Sequence, residues 1–172
     1  DRIDYLNQLI NQAKTQGWKL GVKFVRGAYL EKENLRAKEK GYPSPIQADK
    51  KSTDKDYNLA LKISVENLDA ISICAGSHND KSCLYLTELM KANKIDKDFK
   101  GIYFSQLYGM SDNISFVLGA EGYNVTKYLP YGPVRFTTPY LIRRAQENTS
   151  VAGQTGKELN IITQEIKRRK TA

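Results

Sequence analysis

The chain alternates between two spacings of apolar residues, one typical of helices and one typical of strands. In the first sixteen residues Ile3, Leu6 and Ile10 recur three and four positions apart, as on one face of a helix. The next segment, 18–25, alternates instead and ends in β-branched residues, which is typical of a strand. The same spacings predict helices over residues 1–16, 29–40, 54–67, 80–93, 112–119, 138–148 and 156–169. They predict strands over residues 18–25, 69–75, 101–107 and 123–129.

The order strand, loop, helix occurs four times, which predicts βαβ units and a parallel sheet. Helices normally cover both faces of such a sheet, and the mixed apolar strands agree with that. Four units form either a small doubly wound sheet or half of a (βα)₈ barrel, because a whole barrel needs about 250 residues. The predicted fold class is α/β in both cases.

Polar, aromatic and glycine-rich residues cluster where the predicted strands end. Ligands of parallel α/β folds bind at the carboxyl ends of the strands. Each cluster alone has a structural explanation: Arg26 could pair with a carboxylate, His78 could bond to backbone, and Leu107 and Tyr128 could be core. Their convergence on one edge of the sheet instead indicates a site. The clusters are Arg26-Gly27-Ala28-Tyr29, His78-Asn79, residues 106–110, and Tyr128 with Gly132, followed by Arg143-Arg144 and Glu147-Asn148 in the next helix.

The net charge and the composition limit the ligands and the kinds of site that the chain could have. The 172 residues include 27 Lys and Arg against 19 Asp and Glu, for a net charge of +8. Nucleic acid, an anionic membrane surface or a phosphorylated ligand would match that sign. The only dense basic run is 167–170, which predicts a solvated tail rather than a nucleic-acid site. Two cysteines and one histidine cannot build a disulfide framework or a four-ligand zinc site, and they favour a reducing compartment.

The candidate site is rich in cations and hydrogen-bond donors and poor in nucleophiles and bases. The sequence has no Gly-x-Ser-x-Gly elbow, no Walker loop and no glycine-rich dinucleotide motif. Arg26 can bind phosphate or an electron-rich aromatic nitrogen, and Arg143 with Arg144 can grip a carboxylate. Such a set is typical of a site that holds an organic cofactor whose own chemistry carries the reaction.

Several motifs, in this order and spacing, resemble the proline dehydrogenase family over about residues 18 to 152. They are KFVRGAY at 23–29, GYP at 41–43 with Lys50 and Thr53-Asp54, HN at 78–79, QLYGM at 106–110, YLPYG at 128–132 and YLIRRAQEN at 140–148. The resemblance implies a distorted (βα)₈ barrel that binds FAD noncovalently and oxidises L-proline to Δ1-pyrroline-5-carboxylate. It also implies that a membrane quinone takes the electrons, in a bacterial cytoplasm with peripheral contact at the inner membrane.

The resemblance also implies roles for individual residues, and it assigns none as an acid, a base or a metal ligand. Arg26 lies where the family often has another residue. The expected flavin contacts are Lys23, Val25, Arg26, Gly27, Ala28, Lys50, Thr53, His78, Asn79 and Gln106. The expected proline pocket is Leu107, Tyr128, Arg143, Arg144 and Glu147, with Tyr29 at its edge. The arginines would clamp the carboxylate, while Tyr128 and Leu107 would wall the ring.

The strands that open a family barrel have no counterpart in this sequence. We therefore expect residues 1–172 to be one partial domain, the C-terminal half of the barrel, with 157–172 as a basic helix or tail. We expect little proline dehydrogenase activity from the chain alone. Open sheet edges and an apolar inner face would also favour association of two copies.

Two other functions agree with the residues alone. One is a basic α/β module that binds RNA or a phosphorylated ligand. The other is a different flavin- or phosphate-binding barrel with another substrate.

Overall fold

The computed structural model describes residues 2–26, 29–150 and 154–171, and the side chains of residues 145–150, 154–158 and 171 lie outside that description. The described helices are α1 (Arg2–Gln16), α2 (Leu30–Lys40), α3 (Lys50–Val65), α4 (Asp80–Ala92), α5 (Asp112–Ala120), α6 (Val134–Ser150) and α7 (Gln154–Thr171). The described strands are β1 (Leu20–Phe24), β2 (Ile71–Gly76), β3 (Ile102–Leu107) and β4 (Val125–Tyr128).

Two helices begin four residues earlier than the sequence predicts. Helix α3 begins at Lys50 because the Asp49 carboxylate caps it, accepting a hydrogen bond of 2.6 Å from the backbone N–H of Ser52. Helix α6 begins at Val134, where the carbonyl of Pro133 already accepts backbone hydrogen bonds. The predicted start at residue 138 would put Pro139 in the first turn, whereas the helix contains this proline in its interior.

The four strands form a parallel sheet in the order β1-β2-β3-β4, which confirms the predicted α/β fold. The register aligns Phe24 with Ala75, Ala75 with Phe104, and Phe104 with Val125. These four side chains therefore form one row across the sheet, on a single face.

One face of this sheet carries the hydrophobic core. Ile71, Ile73 and Phe104 are buried there and belong to one cluster with residues such as Leu61 of α3 and Leu86 of α4. Helices α1, α3, α4 and α5 all contribute to this cluster, so they cover the same face of the sheet. The arrangement is that of a barrel sector, with helices outside, rather than a sheet between two helical layers. We call this face the helix-facing side.

The opposite face, which we call the inner face, mixes small, polar and aromatic side chains. The expectation of an apolar inner face was wrong, because the strand positions that alternate with the core are only partly apolar. The inner face comprises Gly21, Lys23, Val25, Ser72, Cys74, Gly76, Tyr103, Ser105, Leu107, Thr126 and Tyr128.

The chain divides into two compact units, one up to Tyr128 and one from Leu129 onward. The first holds the sheet with α1 to α5, and the second holds α6 and α7. Among the described residues, none of the helices is both long and apolar enough to span a lipid bilayer.

Candidate functional site at the carboxyl ends of the strands

The predicted site residues of the first unit lie at one edge of the sheet. Arg26 and His78 come two residues after the ends of β1 and β2. Gln106 and Tyr128 lie within the last two positions of β3 and β4. Because all four strands run parallel, these positions share the carboxyl edge of the sheet, as the sequence predicted.

The strand alternation divides these residues between the two sides of the sheet. Lys23, Leu107 and Tyr128 belong to the inner face, whereas Arg26 and Gln106 have the parity of the buried core positions. The sequence pattern predicts a shared edge for these clusters and says nothing of the face on which each side chain lies. On the inner face Lys23 and Tyr128 contact each other across the sheet, whereas Arg26 and Gln106 contact the helices and loops of the other side.

The inner face is concave, as the contact between Lys23 and Tyr128 shows. The Lys23 Nζ lies 5.0 Å from the centre of the Tyr128 ring. These residues belong to β1 and β4, which in a flat sheet are three strand spacings apart, about 14 Å, and the register sets them a further four residues apart along the strands, about 13 Å. Curvature of the sheet brings the two side chains together, so that a cation meets an aromatic face across it.

Gly76 makes room for this contact, and it is not among the residues that the sequence predicts for the site. A Cβ at Gly76 would lie 2.9 Å from the Phe24 carbonyl oxygen, 3.0 Å from Lys23 Cε and 3.1 Å from Val25 Cγ1. Lys23 and Val25 thus pack directly over the glycine backbone. A glycine at the end of a strand that follows an alternating pattern is the sequence feature that could have indicated such a close approach.

Arg26 lies on the helix-facing side in a network with α3 and α4. Its Nη1 is 3.0 Å from Asp54 Oδ1, its Nη2 donates to Ser82 Oγ, and its guanidinium stacks 4.0 Å from the centre of the Tyr57 ring. Burial lowers the pKa of Arg26, while Asp54 acts in the opposite direction. The predicted role in flavin binding stays a prediction, and the structure places the guanidinium among protein groups.

Gln106 is 1% exposed, and both ends of its amide are bonded within the protein. Its Nε2 donates to the Ser77 carbonyl at 3.0 Å, and its Oε1 accepts from Ser115 Oγ at 2.9 Å. Gln106 thereby links the loop after β2 to helix α5. The predicted flavin contact at this position remains a prediction.

His78 is bonded to the loop that follows β3. Its Nδ1 lies 2.8 Å from Ser111 Oγ, and Ser111 has a left-handed backbone with φ 51°. Tyr29, at the start of α2, is also left-handed, with φ 63°. Such conformations are uncommon for residues with side chains and concentrate at functional sites. Two of them therefore lie at the edge where the sequence predicts a site.

The N-termini of α3 and α4 reach the same edge. Lys50 is exposed and lies 2.6 Å from Asp54 Oδ2, while the Thr53 hydroxyl donates to the Asp49 carbonyl at 3.0 Å. Asn79 caps α4, because its Oδ1 accepts from the Ser82 N–H at 3.1 Å. Helix N-termini favour anions, so this edge suits a phosphate group even where individual side chains have local partners.

The remaining predicted residues lie in the second unit or outside the description. Arg143 is exposed and Arg144 half-buried on α6, with the Arg144 guanidinium 5.2 Å from the centre of the Tyr140 ring. Glu147 follows Arg143 by one helical turn, and its side chain lies outside the described residues. Gly27 and Ala28 also lie outside them.

Comparison with known proteins decides the family. A family model described as proline dehydrogenase matches residues 1–157. The chain belongs to the proline dehydrogenase family. It is 41% identical to the mitochondrial proline dehydrogenase 1 of Caenorhabditis elegans over 91% of this chain and 26% of that protein. It is also 41% identical to the hydroxyproline dehydrogenase of Xenopus laevis, over 98% of this chain and 37% of that protein.

A solved structure supports the same family. The chain matches proline utilization A from Bdellovibrio bacteriovorus, inactivated by N-propargylglycine, with a TM-score of 0.80 and 30% identity. The match covers 87% of this chain and 15% of that one. The chain spans about a quarter to just over a third of the length of the curated relatives quoted above. These relatives lend no support to the alternative of a nucleic-acid-binding module.

Proposed function

We propose that the protein oxidises L-proline to Δ1-pyrroline-5-carboxylate with FAD as its cofactor. The observation that carries the proposal is the contact between Lys23 and Tyr128 on the concave inner face. The sequence predicts Lys23 as a flavin contact and Tyr128 as part of the proline pocket. In the structure the two side chains are neighbours, as they must be if cofactor and substrate react with one another.

The donor set at the edge of the sheet fits FAD. Lys23 and Lys50 supply cations, and the N-termini of α3 and α4 supply partial positive charge for a pyrophosphate. Gly76, which has no Cβ, lets Lys23 pack directly over the backbone of β2, and this places the lysine on the inner face beside Tyr128. Bound FAD would supply a hydride acceptor at its ring. The residues of the chain would hold and orient it.

The proposed proline pocket would combine carboxylate recognition with a hydrophobic wall. Arg143 and Arg144 would bind the substrate carboxylate by charge-assisted hydrogen bonds. Glu147 would meet the substrate nitrogen or neutralise an arginine, and Tyr128 and Leu107 would wall the ring. The Cδ hydride of proline then needs alignment with its acceptor more than it needs an acid or base. Such alignment is the contribution we assign to these side chains.

Electron transfer to a membrane quinone, with peripheral contact at the membrane, completes the proposal. A bacterial cytoplasm as its setting stays a prediction, since the relatives from Caenorhabditis elegans and Homo sapiens are mitochondrial by name. Association of two copies also stays a prediction, and it rests mainly on the open sheet edges because the inner face is only partly apolar.

The test is whether the substrate reduces the bound flavin, which is measured as bleaching of the flavin absorbance. The full-length protein is purified, saturated with FAD and mixed without oxygen with L-proline or with hydroxyproline. Faster bleaching by proline supports the proposal. Faster bleaching by hydroxyproline would assign the chain the substrate of its Xenopus laevis relative. A flavin that stays oxidised with both amino acids would overturn the proposed reaction.

A further inference from the structure

Arg26 is bonded to residues that are themselves bonded to two predicted cofactor contacts. Asp54 forms an ion pair with Arg26 through Oδ1 at 3.0 Å, although this buried oxygen accepts no hydrogen bond among the described residues, and its Oδ2 accepts from Lys50 at 2.6 Å. Ser82 accepts from Arg26 through Oγ and donates through its backbone N–H to Asn79 Oδ1 at 3.1 Å. The Arg26 guanidinium is therefore linked to Lys50 through Asp54 and to Asn79 through Ser82.

The same contacts tie three separate segments together. Arg26 follows β1, Asp54 lies in the second turn of α3, and Ser82 lies in the first turn of α4. Ser82 Oγ also donates to Asn58 Oδ1 of α3 at 2.6 Å, which closes the link between the two helices. The end of β1 and the N-termini of α3 and α4 thus meet at one planar cation.

Stability alone does not account for this arrangement. The Arg26 side chain is 15% exposed, and among the described residues its buried Nε has no hydrogen-bond partner. Burial lowers its pKa, which means that desolvation outweighs the stabilisation of the charge by Asp54 and Tyr57. Buried ion pairs often contribute little net stability compared with apolar residues of similar size. The largely buried Arg26 charge therefore needs another explanation, which is that it fixes the relative positions of the segments that it joins.

We propose that Arg26 is a positioning residue of the cofactor site, which fixes Lys50 and Asn79 relative to the end of β1. The inference rests on the proposed function, because it takes FAD as the ligand of that edge. Arginine suits the role because its rigid fork holds Asp54 and Ser82 at once while its plane stacks on Tyr57. A lysine ammonium supplies the same charge as a point and lacks that fork.

The experiment compares Arg26→Lys with the unaltered full-length protein by titrating FAD into the apoprotein. We expect Arg26→Lys to raise the Kd for FAD about tenfold or more, and to change the visible circular dichroism of the bound flavin. We expect the unfolding midpoint of the apoprotein to stay within a few degrees. The matched control is Lys62→Met, which removes one positive charge from an exposed pair with Glu66 elsewhere on α3 and should leave the Kd unchanged.

A second variant, Asp54→Asn, tests the same link from the other side. It removes the carboxylate shared by Arg26 and Lys50, and should raise the Kd for FAD similarly. Because both variants break one network, the double variant should weaken binding by less than the product of the two single effects. Unchanged FAD affinity in Arg26→Lys, or multiplicative effects in the double variant, would overturn the positioning role. Those outcomes are independent of whether proline bleaches the flavin, which tests the proposed function.

Discussion

Replacing Gly76 by alanine tests the close packing on the inner face. The added Cβ would lie 2.9 Å from the Phe24 carbonyl oxygen and 3.0 Å from Lys23 Cε. Lys23 can swing away, because its Cε is near the end of a flexible side chain. The carbonyl cannot, since Phe24 pairs with Ala75 in the ladder between β1 and β2. The substitution should therefore strain the strand pair and displace the lysine.

The expected effect on stability follows from the cost of overpacking. Adding a methyl group to a closely packed position destabilises proteins by about 1–3 kcal/mol. For a protein of this size each kcal/mol lowers the unfolding midpoint by about 2–4 °C. Displacement of Lys23 should also weaken FAD binding, which a stability measurement alone would not reveal.

The assay is urea unfolding of the purified protein, paired with FAD titration, and Gly21→Ala is the matched control. Gly21 lies in β1 with the parity of the inner face, and a Cβ there would meet nothing within 4 Å. Gly21→Ala should change the free energy of unfolding by about 0.5 kcal/mol or less, or stabilise slightly through the unfolded chain. If the two variants unfold at the same urea concentration with equal m-values, the packing argument is wrong.

Three further predictions concern the substrate clamp, the thiols and the chain by itself. Replacing Arg143 or Arg144 by methionine in the full-length protein should raise the KM for proline by roughly 10- to 150-fold, with flavin content unchanged, because a charge-assisted contact is lost; flavin loss with a normal KM would refute the clamp. Burial raises the pKa of Cys83 to about 11 from a usual 9.0. Its thiolate fraction at pH 8 should therefore be about 100-fold lower and its folded-state alkylation correspondingly slow. Peptide mass spectrometry after iodoacetamide treatment should show Cys74 modified first, and equal labelling would contradict this. The 172-residue chain, saturated with FAD, should reduce a dye with proline far more slowly than the proline dehydrogenase 1 of Caenorhabditis elegans, of which it spans 26%, and turnover within about tenfold would refute the expectation.

The order of the strands in the sheet was predictable because a helix follows each strand. That helix returns the chain to the edge of the sheet at which the strand began. The next strand then starts at the same edge and runs parallel to the one before, and consecutive strands are usually neighbours in a sheet. The start of α3 was missed although Asp49 and Ser52 are close in sequence. That cap lies before the apolar residues of the helix, so the spacing of apolar residues does not indicate it.

The side of the sheet on which each site residue lies was partly predictable. Arg26 has the parity of Phe24, and Gln106 has the parity of Phe104, so counting from these core residues places both on the helix-facing side. The role of Gly76 could not be found that way. It depends on Lys23 and Val25, which lie about fifty residues earlier and meet the glycine only after the strands pair.

The hydrogen bonds of Ser77 fix the conformation of the loop after β2. Its N–H donates to the Ser105 carbonyl, its own carbonyl accepts from Gln106, and its hydroxyl accepts from the Asn79 N–H. Each polar group of this 5% exposed residue is already committed to the protein. A ligand that binds at His78 and Asn79 therefore meets a loop preorganised by its own scaffold, and little of the binding energy is consumed in ordering it.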